Sequence, residues 1–150
     1  MPVVKISYNR KAMKTLKFTF LVTLALLTGC DYTASKKEEI TTATGLRYTI
    51  VKDGTGDAAK EGDEVLIHET VGYIRGTRLF ATKDLGTPIK VVVGKKQVID
   101  GVDEGLVGMK TGEIRRLTIP PALSKRDEYP PFLSPDSTLV YEIELIKIEM

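Results

Sequence analysis

The sequence predicts an α+β fold, an antiparallel sheet with one helix laid across it, on three observations. Short runs rich in β-branched and aromatic residues recur along the chain with glycine and proline between them. One segment carries helical spacing, and the last run, Thr138 to Ile148, alternates along its length. At 150 residues, 42% of them hydrophobic and 28% charged, the chain has the size and composition of a single globular unit able to bury a sizeable core.

The first strand is expected at Leu46-Arg-Tyr-Thr-Ile-Val-Lys52, followed by turn chemistry in Asp53-Gly-Thr-Gly56. A second runs from Glu64 to Ile74 and is closed by Arg75-Gly76-Thr77; a third is Ile89-Lys-Val-Val-Val93, ended by Gly94. Val98, Val102, Leu106 and Met109 recur at spacings of four, four and three, which predicts one face of a helix of about three turns ending near Gly112. Gly101, Gly105 and Gly108 weaken that helix intrinsically, so packing has to hold it. Strands are expected again over Glu113 to Ile119 and Thr138 to Ile148. Between them lies a long proline-rich loop, Pro120 to Pro135, of a length that more often serves function than connection.

Ahead of this domain the composition changes. Residues 1–29 carry Lys5, Arg10, Lys11, Lys14 and Lys17 and no acid, then the apolar run Phe18 to Leu27, then small residues, which is the layout of a secretory signal peptide. The run is about half of what a membrane-spanning helix needs. Leu27-Thr28-Gly29-Cys30 resembles the lipobox of bacterial lipoproteins, with cleavage before Cys30 and a diacylglycerol on its thiol. A lone cysteine in an exported chain has no disulfide partner, and lipidation accounts for it; two acyl chains suffice for stable anchoring. Translation from Met1 or Met13 gives the same mature protein. Asp31 leans the expected location toward an inner membrane. Residues 30–44, polar and without apolar periodicity, are read as a flexible tether, with the domain proper over 45–150.

Charge and motif content narrow the function. Removing the five N-terminal cations from the 22 basic residues leaves 17 against 20 acidic ones, a net of −3 from Cys30 onward. The overall +2 therefore belongs to the leader and gives no reason to expect a nucleic-acid partner. One His and one Cys provide no metal-ligand spacing, and no glycine-rich phosphate loop or serine elbow is present, so neither metal nor cofactor is expected.

Gly62-Asp63-Glu-Val65, His68, Gly76, Pro88 to Gly94, Val98-Ile99-Asp-Gly101-Val-Asp-Glu104-Gly105, Met109, Gly112, Leu117-Thr-Ile-Pro120 and Pro135 to Leu145 resemble, in order and spacing, the FKBP family of peptidyl-prolyl cis-trans isomerases. The likeness spans nearly all of the chain from Gly45 to Glu149, and Gly94 to Gly112 is its most specific piece. It implies a curved antiparallel sheet of about five strands wrapped around one short helix, and binding of Xaa-Pro bonds. Carried over by position, Val98 and Ile99 fall at the edge of the proline pocket, with the Ile99 N–H meeting a ligand carbonyl. Tyr141 matches an aromatic wall and Ile89 a position often held by Phe. The family's Phe-Asp pair falls on Leu79-Phe80 or, shifted by one, on Phe80-Ala81, and neither reading supplies the Asp.

Other positions depart from the family. Glu69 stands where a wall Tyr is usual, Val102 where the floor is often Trp, and Ser124 or Lys125 where the long loop usually carries a Tyr. Tyr129 lies near a common His. His68 is expected to be structural. The FKBP resemblance implies an isomerase for proline-containing polypeptide clients, a monomer is expected, and the lipobox resemblance implies tethering at the cell envelope. The alternative is a non-catalytic binding module or holdase on the same fold. A third expectation gives partner binding to the Pro120 to Pro135 loop with its charges Lys125-Arg126-Asp127-Glu128.

Overall fold

The computed structural model describes residues 37–131 and 133–149. The segment read as a signal peptide, Cys30 and the start of the segment read as a tether lie outside the described residues. Within them are strands β1 (Glu39–Thr41), β2 (Arg47–Lys52), β3 (Thr55–Ala58), β4 (Glu64–Tyr73), β5 (Arg78–Ala81), β6 (Ile89–Val92), β7 (Lys110–Thr111), β8 (Ile114–Ile119) and β9 (Leu139–Glu149). One helix, α1 (Asp100–Leu106), and two 3₁₀ turns, Thr82–Leu85 and Pro121–Leu123, complete them.

The strands form a seven-stranded antiparallel sheet in the order β1-β2-β8-β9-β4-β5, with β6 also paired to β4, and a separate β3-β7 pair. The sequence pattern shows five of these. β5 and β7 escape it because they are too short to alternate. β3 falls on the Asp53 to Gly56 turn chemistry and pairs irregularly across a bulge, with Gly56 at φ 80. β1 lies within the segment read as a tether and pairs with β2, Ile40 opposite Tyr48.

Both short strands β5 and β6 use the same edge of β4. β6 pairs with Glu64 to Ile67 and β5 with Thr70 to Gly72, which leaves Glu69 without a strand partner on that edge. Thr82, fully buried, fills the gap: its hydroxyl accepts the Glu69 N–H at 3.0 Å and faces the Glu69 carbonyl at 3.4 Å and His68 Nδ1 at 3.0 Å.

One face of the sheet is the core face. Tyr48, Leu117, Tyr141, Val71 and Phe80 stand opposite one another in a row across β2, β8, β9, β4 and β5. The next row is Ile50, Arg115, Ile143 and Glu69. With Val65, Ile67, Ile119 and Leu145, all out of contact with water, these side chains form the layer on which α1 lies. Each such aliphatic burial is worth about 1.5–3 kcal/mol.

The helix is two turns long, not three. Val98 precedes it, Ile99 is its N-cap with ψ 150, and Met109 follows Gly108, whose φ of 79 ends any helix. Hydrophobic spacing continues past both ends because the flanking residues bury on the same side: Met109 is fully buried and Val98 packs on the core. The glycines that weaken α1 also admit it to the sheet. A Cβ on Gly101 would stand 2.6 Å from Ile119 Cγ2, and one on Gly105 would stand 2.5 Å from Leu117 Cδ1.

The buried Arg115 closes the C-terminal end of α1, donating from Nη1 to the Gly105 and Val107 carbonyls at 3.0 and 3.1 Å. Its Nε and Nη2 meet Glu113 Oε1 at 2.7 Å, and its guanidinium lies 4.6 Å from the centroid of the Tyr48 ring. At the other end, Asp103 accepts the backbone N–H groups of Gly94 and Lys96 at 2.8 and 3.0 Å, fixing the connection from β6 against the helix.

Because Leu117 is fully buried and has nowhere to retreat, Gly105→Ala is expected to cost about 1–3 kcal/mol of stability through overpacking. Urea denaturation of the variant beside wild type measures it, and an unchanged midpoint would show that the helix can move off β8.

Candidate functional site: a cavity at the start of the helix

A cavity of about 630 Å³ opens where β4, β9, the N-terminal end of α1 and the long loop meet. Val98, Ile99 and Val102 line its helix side and Tyr141 its sheet side, with Glu69 beside Tyr141. Lys96, Gln97 and Asp100 edge it on the approach to α1, and Lys125, Arg126 and Asp127 on the loop.

The two sides arise differently. The N-cap turn exposes Val98 and Ile99 in part and buries Val102 almost completely, giving an aliphatic floor. The Ile99 carbonyl accepts the Val102 and Asp103 N–H groups at 2.9 and 3.0 Å, while the Ile99 N–H has no partner among the described residues. Strand alternation turns Tyr141 and Glu69 to the core face beside this floor, where Ile143 is the cross-strand neighbour of Glu69.

Arg126 joins the loop to the wall. Its Nη2 donates to the Tyr141 hydroxyl at 3.3 Å, its Nε to the Ser124 carbonyl at 3.5 Å, and its guanidinium lies 5.8 Å from the centroid of the Tyr129 ring. Burial raises the pKa of the Glu69 carboxyl above its ordinary value, and the charge of Arg126 opposes this in part. Burial also raises the Tyr141 hydroxyl; the hydrogen bond from Arg126 works against it and the charge of Glu69 with it.

Of the residues that the sequence assigns to a pocket, Glu69, Val98, Ile99, Val102 and Tyr141 line this cavity together. Leu79, Ile89 and Tyr129 do not line it; they are half-buried against the core, Ile89 because it is the strand partner of Ile67. Phe80 also stands outside the lining. It shares the inward row of Tyr141 and Val71 but lies on the outermost strand, 38% exposed. At the position of the usual loop Tyr, Ser124 is buried with its hydroxyl on the Pro121 carbonyl, and Lys125 is at the cavity lip. His68 occupies the opposite sheet face from Glu69 and bonds Thr82. Sequence reasoning missed Arg126 as a wall residue, since a charge run in a loop without periodicity gives no sign of which member turns inward.

Among the described residues no three His, Cys, Asp or Glu side chains converge to hold a metal ion. The cavity offers an aliphatic floor, an aromatic wall, one open N–H and a charged rim, which suits binding of a peptide segment with an apolar ring.

Residues 56–146 match the FKBP-type peptidyl-prolyl cis-trans isomerase family. The chain belongs to this family. FK506-binding protein 1A of Neurospora crassa is 39% identical over 107 residues, covering 70% of this chain and 89% of that protein. FK506-binding protein of Neisseria meningitidis serogroup B is 35% identical over 105 residues, 69% of this chain and 96% of that one. FK506-binding protein 4 of Chaetomium thermophilum is 41% identical over 98 residues, but the chain spans only 20% of its length. Among solved structures, FkpA from Escherichia coli aligns with a TM-score of 0.67 and 26% identity over 97% of this chain and 75% of that one. AtFKBP13 aligns with 0.66 and 27%, over 75% and 99%. The antiparallel sheet with one helix is thus the FKBP fold.

The raised pKa of Glu69 has a consequence for stability. The folded state binds that proton more tightly than the unfolded chain does, so stability falls as pH rises from the unfolded carboxyl value of about 4.3 through the folded one. Glu69→Gln is expected to raise the melting temperature at pH 7, with the gain shrinking as pH falls toward 4. A gain independent of pH would assign it to something other than the carboxylate.

Proposed function

We propose that the protein is a peptidyl-prolyl cis-trans isomerase that turns Xaa-Pro bonds of exported polypeptides, held at the cell envelope by a lipid on Cys30. The observation that carries the activity is the aliphatic floor of Val98, Ile99 and Val102 against the Tyr141 wall, with the unpartnered Ile99 N–H at its edge. The Xaa-Pro bond rotates over a barrier of about 18–20 kcal/mol because resonance keeps the amide planar. Twisting it breaks resonance and reduces the charge separation of the amide, so a water-poor apolar site favours the twisted form over the planar one. No nucleophile or proton donor is needed. The Ile99 N–H serves to hold a carbonyl of the segment while the proline ring rests on the floor.

Val102 and Glu69 favour a second reading, a binding module without turnover. Val102 offers the ring less surface than an aromatic floor, and Glu69 keeps a charge in the wall. The export reading rests on the basic leader, the apolar run and Leu27-Thr28-Gly29-Cys30. Among the described residues no helix is long and apolar enough to cross a membrane.

The protein is expected to accelerate cis-to-trans conversion of an Xaa-Pro tetrapeptide, and Val98→Asp, at the half-buried edge of the floor, to lower kcat/KM by about tenfold or more. Conversion at the spontaneous rate would leave the binding module as the correct reading. For the anchor, labelled fatty acid fed to expressing bacteria is expected to enter the wild type and not Cys30→Ser; equal labelling of both would remove lipidation at this residue.

A further inference from the structure

Charge and burial conflict at one place in the cavity wall. The inward positions along β4 are Val65, Ile67, Glu69 and Val71, aliphatic except for the residue that faces the cavity. The Glu69 backbone is satisfied by Thr82, but its carboxylate makes no hydrogen bond or ion pair with any other described residue.

Three cations among the described residues line the cavity, Lys96, Lys125 and Arg126, and the one whose charge acts on Glu69, Arg126, does not fill this vacancy. Arg126 attracts Glu69 electrostatically, yet its guanidinium is committed to the Tyr141 hydroxyl, the Ser124 carbonyl and the Tyr129 face. At the rim, Asp100 has Lys96 at 3.8 Å as its own ion-pair partner. Glu69 is therefore an acceptor-only group, partly stripped of water, with lone pairs open to whatever enters the cavity.

We infer that Glu69 is a specificity-determining residue, selecting segments with Lys or Arg immediately before the proline. This rests on the reading of the cavity as the proline site. The bond being turned joins Xaa to proline, so with the ring on the floor a Lys or Arg side chain at Xaa starts within the cavity, and the Glu69 carboxylate is an acceptor in its lining that has no hydrogen bond or ion pair of its own. A cation there supplies the donors that the carboxylate lacks, and charge-assisted bonds are about twice as strong as neutral ones. An acidic Xaa would bring like charge to a half-buried carboxylate. An aliphatic Xaa would desolvate the carboxylate further and return nothing.

The test uses the full protein and peptides identical except for Lys, Arg, Leu or Glu before the proline, read both as kcat/KM and as Kd by fluorescence anisotropy. Lys and Arg are expected to exceed Leu by about fivefold in both measures, the scale of a partly exposed charge pair, with Glu the poorest. In Glu69→Gln the Lys-to-Leu ratio is expected to fall close to one. In Arg126→Gln, which removes the competing cation, it is expected to rise. A wild type that does not distinguish Lys from Leu, or a ratio that Glu69→Gln leaves unchanged, overturns the inference. A preference in Kd without rate acceleration upholds it and overturns only the isomerase reading. Turnover without preference does the reverse, and failure to bind any of the peptides overturns both.

Discussion

The molecule depends on how closely α1 lies on β8. Two glycines four residues apart let the helix backbone touch the Leu117 and Ile119 side chains, an approach at which an added Cβ would force those side chains or the helix to shift. The end of so short a helix leaves carbonyls without a helical partner, and the buried Arg115 meets those of Gly105 and the C-cap Val107 while sharing its charge with Glu113. Glu113 in turn accepts the Lys110 N–H at 3.0 Å, which fixes the turn between β7 and β8. A buried ion pair is maintained only when the remaining donors and acceptors also find partners, and here they do. The opposite end of the same helix provides the cavity floor. Packing at one end thus positions the binding surface at the other.

The cavity combines two demands that pull apart. An amide bond twists most readily where water is scarce, whereas Glu69 and Arg126 each prefer water. The resulting compromise is a graded wall: aliphatic on the helix side, aromatic with a hydroxyl at Tyr141, and charged where β4 meets the loop. Arg126 holds that gradient together, because it binds the wall tyrosine and lies against the loop tyrosine at once.

Much of the fold was legible because it is written in alternation and in glycine punctuation, and the core strands β2, β4, β6, β8 and β9 all carry one or the other. The helix was harder to delimit. Val98 and Met109 fit its hydrophobic spacing although they flank it, since burial on a common side does not require a common helix; the backbone at Ile99 and Gly108 decides the ends. In the site, Glu69, Val98, Ile99, Val102 and Tyr141 were placed by family likeness and lie together. Ile89 was not separable from core residues by pattern, because an inward strand position serves both purposes, and Leu79 packs on the core although its neighbour Phe80 takes the inward row. Arg126 carried no signal, as its role depends on how an aperiodic loop folds back across β9.

The break in pairing along β4 also bears on how the chain behaves among its neighbours. An unpaired amide and carbonyl beside each other on a strand are a template onto which a second polypeptide can add. The Thr82 hydroxyl occupies both positions and is itself sealed from solvent, so one side chain does the work of a strand. The seam between β5 and β6 thereby presents no open Glu69 amide or carbonyl at the place where the charged wall of the cavity begins.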